Sequence, residues 1–149
     1  MRITRRIVLG VLAAGALAAN AAAADFRSVA ANAAILYDAP SAKAKKLYIV
    51  NRGYPLEVTV QLEGWTKVRD ANGAFSWIEN KELADKRTVL VKPPVAQVRQ
   101  SADDKAPVVF EAQQNVVLEV TGSDPAGWLQ VRHEDGASGY IRAAQVWGS

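Results

Sequence analysis

The stretch GWTKVRDANGAFSWI, residues 64–78, decides the fold of this chain. Asn72-Gly73 separates two short runs in which side chains alternate in character, and this pattern predicts a β-hairpin. A second stretch, GWLQVRHEDGASGYI at residues 127–141, repeats Gly-Trp, Val-Arg, Gly-Ala and aromatic-Ile at the same spacing. The chain therefore contains two copies of one unit that is built around a hairpin.

Short runs rich in β-branched residues surround each hairpin and are separated by turn residues, which predicts strands. A single 3₁₀-like turn is expected after each hairpin, at residues 79–83 and 142–146. The predicted strands cover residues 33–37, 46–50 and 54–61 in copy one, and residues 87–91, 95–99, 108–112 and 116–121 in copy two. The expected fold is therefore all-β, with two tandem small, partly open β-barrels at residues 25–85 and 86–149. Lys92-Pro93-Pro94 is locally stiff, which predicts a defined angle between the two units.

Residues 1–24 have the pattern of a secretory signal peptide. Arg2, Arg5 and Arg6 precede an apolar, Ala-rich run, and Ala22-x-Ala24 supplies small residues before a cut at Asp25. The alternatives are a membrane anchor or a buried helix, but the run is shorter than the roughly 20 residues that a spanning helix needs. The expected product is periplasmic or secreted, without a stable membrane anchor. Both general secretion and twin-arginine export remain open.

The composition argues against several classes of function. Arg2, Arg5 and Arg6 belong to the signal segment, so the remaining 15 of the 18 basic residues balance the 15 acidic ones. No run of lysine and arginine residues could contact successive phosphates of a nucleic acid, so nucleic acid is not an expected partner. The absence of cysteine excludes disulfides and thiol catalysis, and a lone histidine, His133, is a poor start for a zinc site or a catalytic triad. We therefore expect no enzyme, no metal and no cofactor.

Hairpin register assigns the side chains of each copy to two faces. A three-residue loop at residues 71–73 places Val68 opposite Ser76 and Thr66 opposite Ile78. Alternation then puts those four residues on the core side. In copy two the same register gives the core side Leu129, Val131, Gly139 and Ile141.

The opposite faces carry aromatic and basic residues, and they are the predicted ligand-binding surfaces. Large rings beside cations could stack on a sugar, a peptide or a proline-rich segment. The alternative is that these rings are buried, either under the loop at residues 38–46 or where the two units meet. The candidate ligand-binding residues are Trp65, Trp77 and Arg69 in copy one and Trp128, Tyr140 and Arg132 in copy two.

Each copy resembles a bacterial SH3-like (SH3b) domain of the secreted kind. The resemblance lies in the Gly-Trp-x-x-Val-Arg strand, the glycine turn, the final aromatic-Ile element, and Val98-Arg99 in an early strand. It implies a small, partly open β-barrel of the type that often accompanies cell-wall enzymes. Copy one departs from the pattern, with Leu36-Tyr37 in place of Val-Arg and Ser76 in place of a glycine. Because copy two retains both features, it is expected to carry the better-preserved ligand surface.

The expected function is non-catalytic binding in the cell envelope, to peptidoglycan or its peptides, and this expectation rests largely on the resemblance. The rival hypothesis is a periplasmic scaffold that holds an envelope protein partner or an extended peptide by aromatic residues or by a sheet edge. Exposed aromatic residues beside Lys67 and Arg69 would favour ligand binding, whereas a flat apolar patch would favour a protein partner.

Overall fold

The computed structural model describes residues 24–149, so the expected signal segment, apart from Ala24, lies outside the described residues. Within residues 24–149, no helix is long and apolar enough to cross a membrane. Regular structure there consists of strands and two short 3₁₀ turns, Asn80–Glu82 and Ala143–Gln145. The strands are β1 (Phe26–Val29), β2 (Ala33–Tyr37), β3 (Lys46–Asn51), β4 (Pro55–Gln61), β5 (Trp65–Arg69), β6 (Phe75–Glu79), β7 (Leu83–Ala84), β8 (Thr88–Val91), β9 (Val95–Arg99), β10 (Val108–Gln113), β11 (Val117–Asp124), β12 (Trp128–Arg132), β13 (Ser138–Arg142) and β14 (Val146–Trp147).

The strands form two seven-stranded sheets with the same topology, and this confirms the predicted all-β tandem fold. The first sheet has the order β3-β2-β6-β5-β4-β1-β7, and the second has the order β10-β9-β13-β12-β11-β8-β14. Each is a partly open barrel, because the first and last strands of each order do not pair with each other. We refer to the two sheets as domain 1 and domain 2.

Hairpin register agrees with the sequence prediction in both domains. Val68 pairs with Ser76 and Thr66 with Ile78, while Val131 pairs with Gly139. The loop closes through a hydrogen bond from the Asp70 N–H to the Ala74 carbonyl at 3.0 Å. Gly73 adopts a φ of 84°, a conformation that favours glycine. The three-residue loop therefore sets the faces of the hairpin as predicted.

The two hydrophobic cores are built from the predicted side of each hairpin. Val68 and Ile78 are completely buried in domain 1, as are Val131 and Ile141 in domain 2. Strands from both sides of the hairpin complete each core, with Leu56 from β4 and the equivalent Leu118 from β11. Strand β1, which the sequence pattern did not delimit, contributes Val29.

The two domains meet where β1 and the turn before β4 contact β14 and β8. The Thr88 hydroxyl donates a hydrogen bond to the Gly53 carbonyl at 2.6 Å, and the Phe26 ring packs edge-on against Trp147 with 5.1 Å between centroids. Pro93 and Pro94, expected to fix the angle between the units, instead lie between β8 and β9, inside domain 2. Contacts at the domain boundary, rather than proline stiffness, therefore join the two barrels.

Candidate functional site

The outer face of β5 and β6 presents a surface of aromatic and basic side chains. We call it the aromatic–basic face, and it comprises Trp65, Lys67, Arg69, Phe75 and Trp77. Cross-strand register places Lys67 opposite Trp77 and Arg69 opposite Phe75. Phe75 is 54% exposed, and the Lys67 ammonium lies 5.3 Å from the centroid of its ring. Trp65 and Trp77 are half-buried, so part of each side chain remains exposed to solvent.

Tyr37 is the residue that supports this face, and sequence reasoning did not assign it to the site. Its ring packs edge-on against Trp65 with 5.4 Å between centroids, and β2 aligns it with Trp77 on β6. An edge-to-face pair of this kind is a stable arrangement of aromatic rings and holds Trp65 in place. The sequence did contain a sign of this role, because copy one has Tyr37 where copy two has the arginine of its Val-Arg pair.

The predicted arginines are engaged by carboxylates of the protein itself. Arg69 pairs with Glu57, and the equivalent Arg132 pairs with the equivalent Glu119 at 2.9 Å. Hydrogen bonds from Arg132 and Lys86 hold the pKa of Glu119 below its usual value. Since the same pair recurs in both domains, it belongs to the shared fold rather than to a ligand site of one domain.

Arg132, which pairs with Ser138 across the hairpin, also lines a cleft between the domains. This cleft has a volume of about 410 Å³ and is lined by residues from both sheets, among them Arg52, Lys86 and Glu134. Arg132 therefore borders both the outer face of β12 and this cleft, and its part in a ligand site stays a prediction.

Trp128 is buried, with only 3% of its surface exposed, so the expectation that it presents its ring to solvent is wrong. The guanidinium of Arg142 lies 4.4 Å from the centre of the indole ring, and Asp104 pairs with Arg142 from the loop before β10. That ion pair holds the pKa of Asp104 below its usual value. Hairpin register places Arg142 directly opposite Trp128, but it could not reveal that Asp104 from a distant loop pairs with this arginine.

The rest of the outer face of domain 2 has fewer aromatic and basic side chains than the aromatic–basic face. Gln130 and Ser138 stand at the positions of Lys67 and Phe75, and only the half-buried Tyr140 matches Trp77. Gly139, the glycine that copy two retains where copy one has Ser76, admits the backbone of β9. A Cβ at Gly139 would lie 2.5 Å from the Arg99 carbonyl oxygen. Arg99 in turn donates to the Ala106 carbonyl at 2.7 Å and fastens the neighbouring loop.

Side chains that could hold a metal ion do not cluster in the part of the chain that the structure describes. No group of three His, Asp or Glu side chains is placed to hold a metal ion within residues 24–149. His133 is partly exposed beside the turn, where its Nδ1 accepts a hydrogen bond from the Asp135 N–H at 3.3 Å.

Comparison with known proteins places this fold. The search of solved structures matched NlpC2 from Trichomonas vaginalis, with 12% identity and a TM-score of 0.39 over 85% of this chain and 49% of that one. It also matched an NlpC/P60 family protein from Bacillus cereus, with 16% identity and a TM-score of 0.38 over 82% of this chain and 55% of that one. This chain thus spans about half the length of those proteins. No curated protein matches the sequence. The model of the bacterial SH3 domain matches twice, at residues 30–85 and 92–148, and the chain belongs to that family as a tandem pair.

Proposed function

We propose that the protein is a non-catalytic binding protein of the cell envelope that attaches to peptidoglycan or its peptides. Membership of the bacterial SH3 domain family supports a binding role. Residues 1–24 supply the export signal in this proposal, and cleavage leaves Asp25 as the first residue. Mass spectrometry of the exported chain tests that part, since a product that retains residues 1–24 would contradict it.

The observation that carries the proposal is the aromatic–basic face of domain 1. Phe75 and Trp77 offer ring surfaces on which the C–H faces of a sugar can stack. Lys67, which forms no ion pair among the described residues, can bind the carboxylates of short wall peptides. Peptidoglycan joins amino sugars to such peptides, so one surface of this composition can contact both parts of it.

The two domains differ at the positions that matter for this proposal. Domain 2 has Gln130 and Ser138 where domain 1 has Lys67 and Phe75, and its tryptophan is covered by Arg142. We therefore assign wall binding to domain 1, which reverses the expectation that copy two carries the better surface.

The difference between the domains also supplies the test. The double variant Lys67→Gln/Phe75→Ser gives domain 1 the residues that domain 2 already has in the same register, so the fold should tolerate it. Loss of one binding hot spot costs about 2 kcal/mol, which is roughly a thirtyfold weakening. We expect a loss of that size in sedimentation with purified peptidoglycan.

A matched change in domain 2 serves as the control. Gln130→Ala/Ser138→Ala alters the equivalent outer face and should leave sedimentation unchanged. The proposal fails if the Lys67→Gln/Phe75→Ser protein keeps its melting temperature and still binds the wall as wild type does. It also fails if the control in domain 2 is the variant that loses binding.

A further inference from the structure

Strand β3 is an open edge of domain 1, on a different surface from the aromatic–basic face. It pairs with β2 on one side and with no other strand among the described residues. Tyr48 is 56% exposed and Ile49 is 72% exposed. Successive residues of a strand point to opposite faces, so β3 is uncovered on both faces at its centre.

The backbone of this edge has hydrogen-bonding groups that point away from the barrel. The Arg52 N–H donates to the Asn32 carbonyl at 3.3 Å, which directs the backbone of Arg52 toward the neighbouring strand. The register between β2 and β3 is regular from Asn51 back to Tyr48. Because direction alternates along an antiparallel ladder, the N–H and C=O of Ile49 point outward. An incoming extended chain could pair with them.

The charge around this edge is predominantly positive. Residues 38–52 contain the exposed cations Lys43, Lys45, Lys46 and Arg52, none of which forms an ion pair within residues 24–149. The only acid in that stretch is Asp38, whose Oδ1 accepts a hydrogen bond from the Lys45 N–H at 3.0 Å, so four cations face one carboxylate. The equivalent hairpin of domain 2, residues 100–113, has three acids and one lysine. The positive charge is thus a property of β3 and its flanks rather than of the repeat.

We propose that the β3 edge binds an extended, acidic segment of a partner protein by strand addition. Main-chain hydrogen bonds would supply the attachment, and alternate acidic side chains would meet the flanking lysines and Arg52. A second copy of this chain is disfavoured at the same edge. Antiparallel self-pairing centred on Ile49 would bring Lys46 opposite Arg52, and like charges placed directly opposite each other are destabilising.

The first experiment separates charge from strand addition with synthetic peptides. The probe is a short, capped peptide that alternates Glu and Val, titrated into isotope-labelled protein and followed by NMR. We expect amide shifts centred on Lys46–Asn51 and binding at least about tenfold tighter than that of a matched Lys/Val peptide. A Glu/Val peptide that is N-methylated along one edge retains its charge but cannot pair, so it should bind at least about tenfold more weakly. Equal binding of the methylated and unmethylated peptides would overturn strand addition.

The second experiment changes the edge itself. Ile49→Pro removes the outward N–H at a position where an edge strand tolerates proline, and Ile49→Ala shortens the side chain but keeps that N–H. We expect the proline variant to lose peptide binding and the alanine variant to retain most of it. The peptide comparison decides the question if the proline variant does not fold. A wild-type chain that dimerises in light scattering, and becomes monomeric as Ile49→Pro, would assign the edge to a second copy instead.

Discussion

Gly139 and Ser76 occupy the same hairpin position in the two domains and meet their neighbouring strand differently. A Cβ at Gly139 would lie 2.5 Å from the Arg99 carbonyl oxygen and 2.8 Å from Val98 Cγ1. Domain 1 contains the larger Ser76, which is buried and whose hydroxyl has no hydrogen-bond partner among the described residues. One position is therefore too tight for any side chain, and the other accommodates a polar side chain that it does not satisfy.

Exchanging these residues tests that difference. Gly139→Ser should destabilise the protein by about 1–3 kcal/mol, because the added atoms meet backbone that cannot move aside. Ser76→Gly should stay within about 1 kcal/mol of wild type, since the flexibility that glycine adds is offset by removal of an unsatisfied hydroxyl. Urea unfolding of the two variants measures both effects. Equal losses of stability would show that the close approach of β9 does not matter.

At the scale of the strand, the features that depend on one hairpin could be predicted and those that depend on several elements could not. Alternation and the Asn-Gly turn predicted the pairing of Val68 with Ser76 and the burial of Ile78. The packing of Tyr37 on Trp65 requires β2 to lie beside β6. The cover over Trp128 requires its cross-strand neighbour Arg142 to pair with a carboxylate from a remote loop. Spacing along one strand carries no information about such contacts.

Adjacent residues of β12 provide a test of the register. Val131→Asp places an unpaired carboxylate in a completely buried position and should cost at least about 3 kcal/mol. Gln130→Asp adds the same charge one residue earlier, on the exposed face, and should change stability by no more than about 0.5 kcal/mol. Thermal and urea unfolding give the comparison. The assignment of the two faces would be wrong if the variants were destabilised equally.

At the scale of the whole molecule, domain 2 completes the surface of domain 1. Phe26, at the start of β1, is 6% exposed because Trp147 from the last strand packs edge-on against it at 5.1 Å. Arg87 lies 5.8 Å from the same ring and also donates to the Gly148 carbonyl at 3.0 Å. Gly148 is closely packed, since a Cβ there would lie 3.0 Å from Pro55 of domain 1. These contacts support β1 of domain 1, and domain 1 carries both proposed binding surfaces.

The aromatic contact between the domains leads to a prediction about motion. Trp147→Ala removes the partner of Phe26 and should lower the free energy of unfolding by on the order of 2 kcal/mol. It should also let the domains reorient, because it removes the ring that holds Phe26 of β1 against the last strand. Amide ¹⁵N relaxation should then change from one rotational correlation time for the whole protein to shorter times that differ between the domains.

An exposed aromatic residue of domain 1 provides the control for that measurement. Phe75→Ala removes a ring that is 54% exposed and lies outside the domain boundary, so it should leave the single correlation time intact. If Trp147→Ala also keeps one correlation time, the hydrogen bond between Thr88 and Gly53 and the packing around Gly148 suffice to hold the barrels together. If the domains separate in motion while domain 1 still binds peptidoglycan, attachment depends on the aromatic–basic face alone.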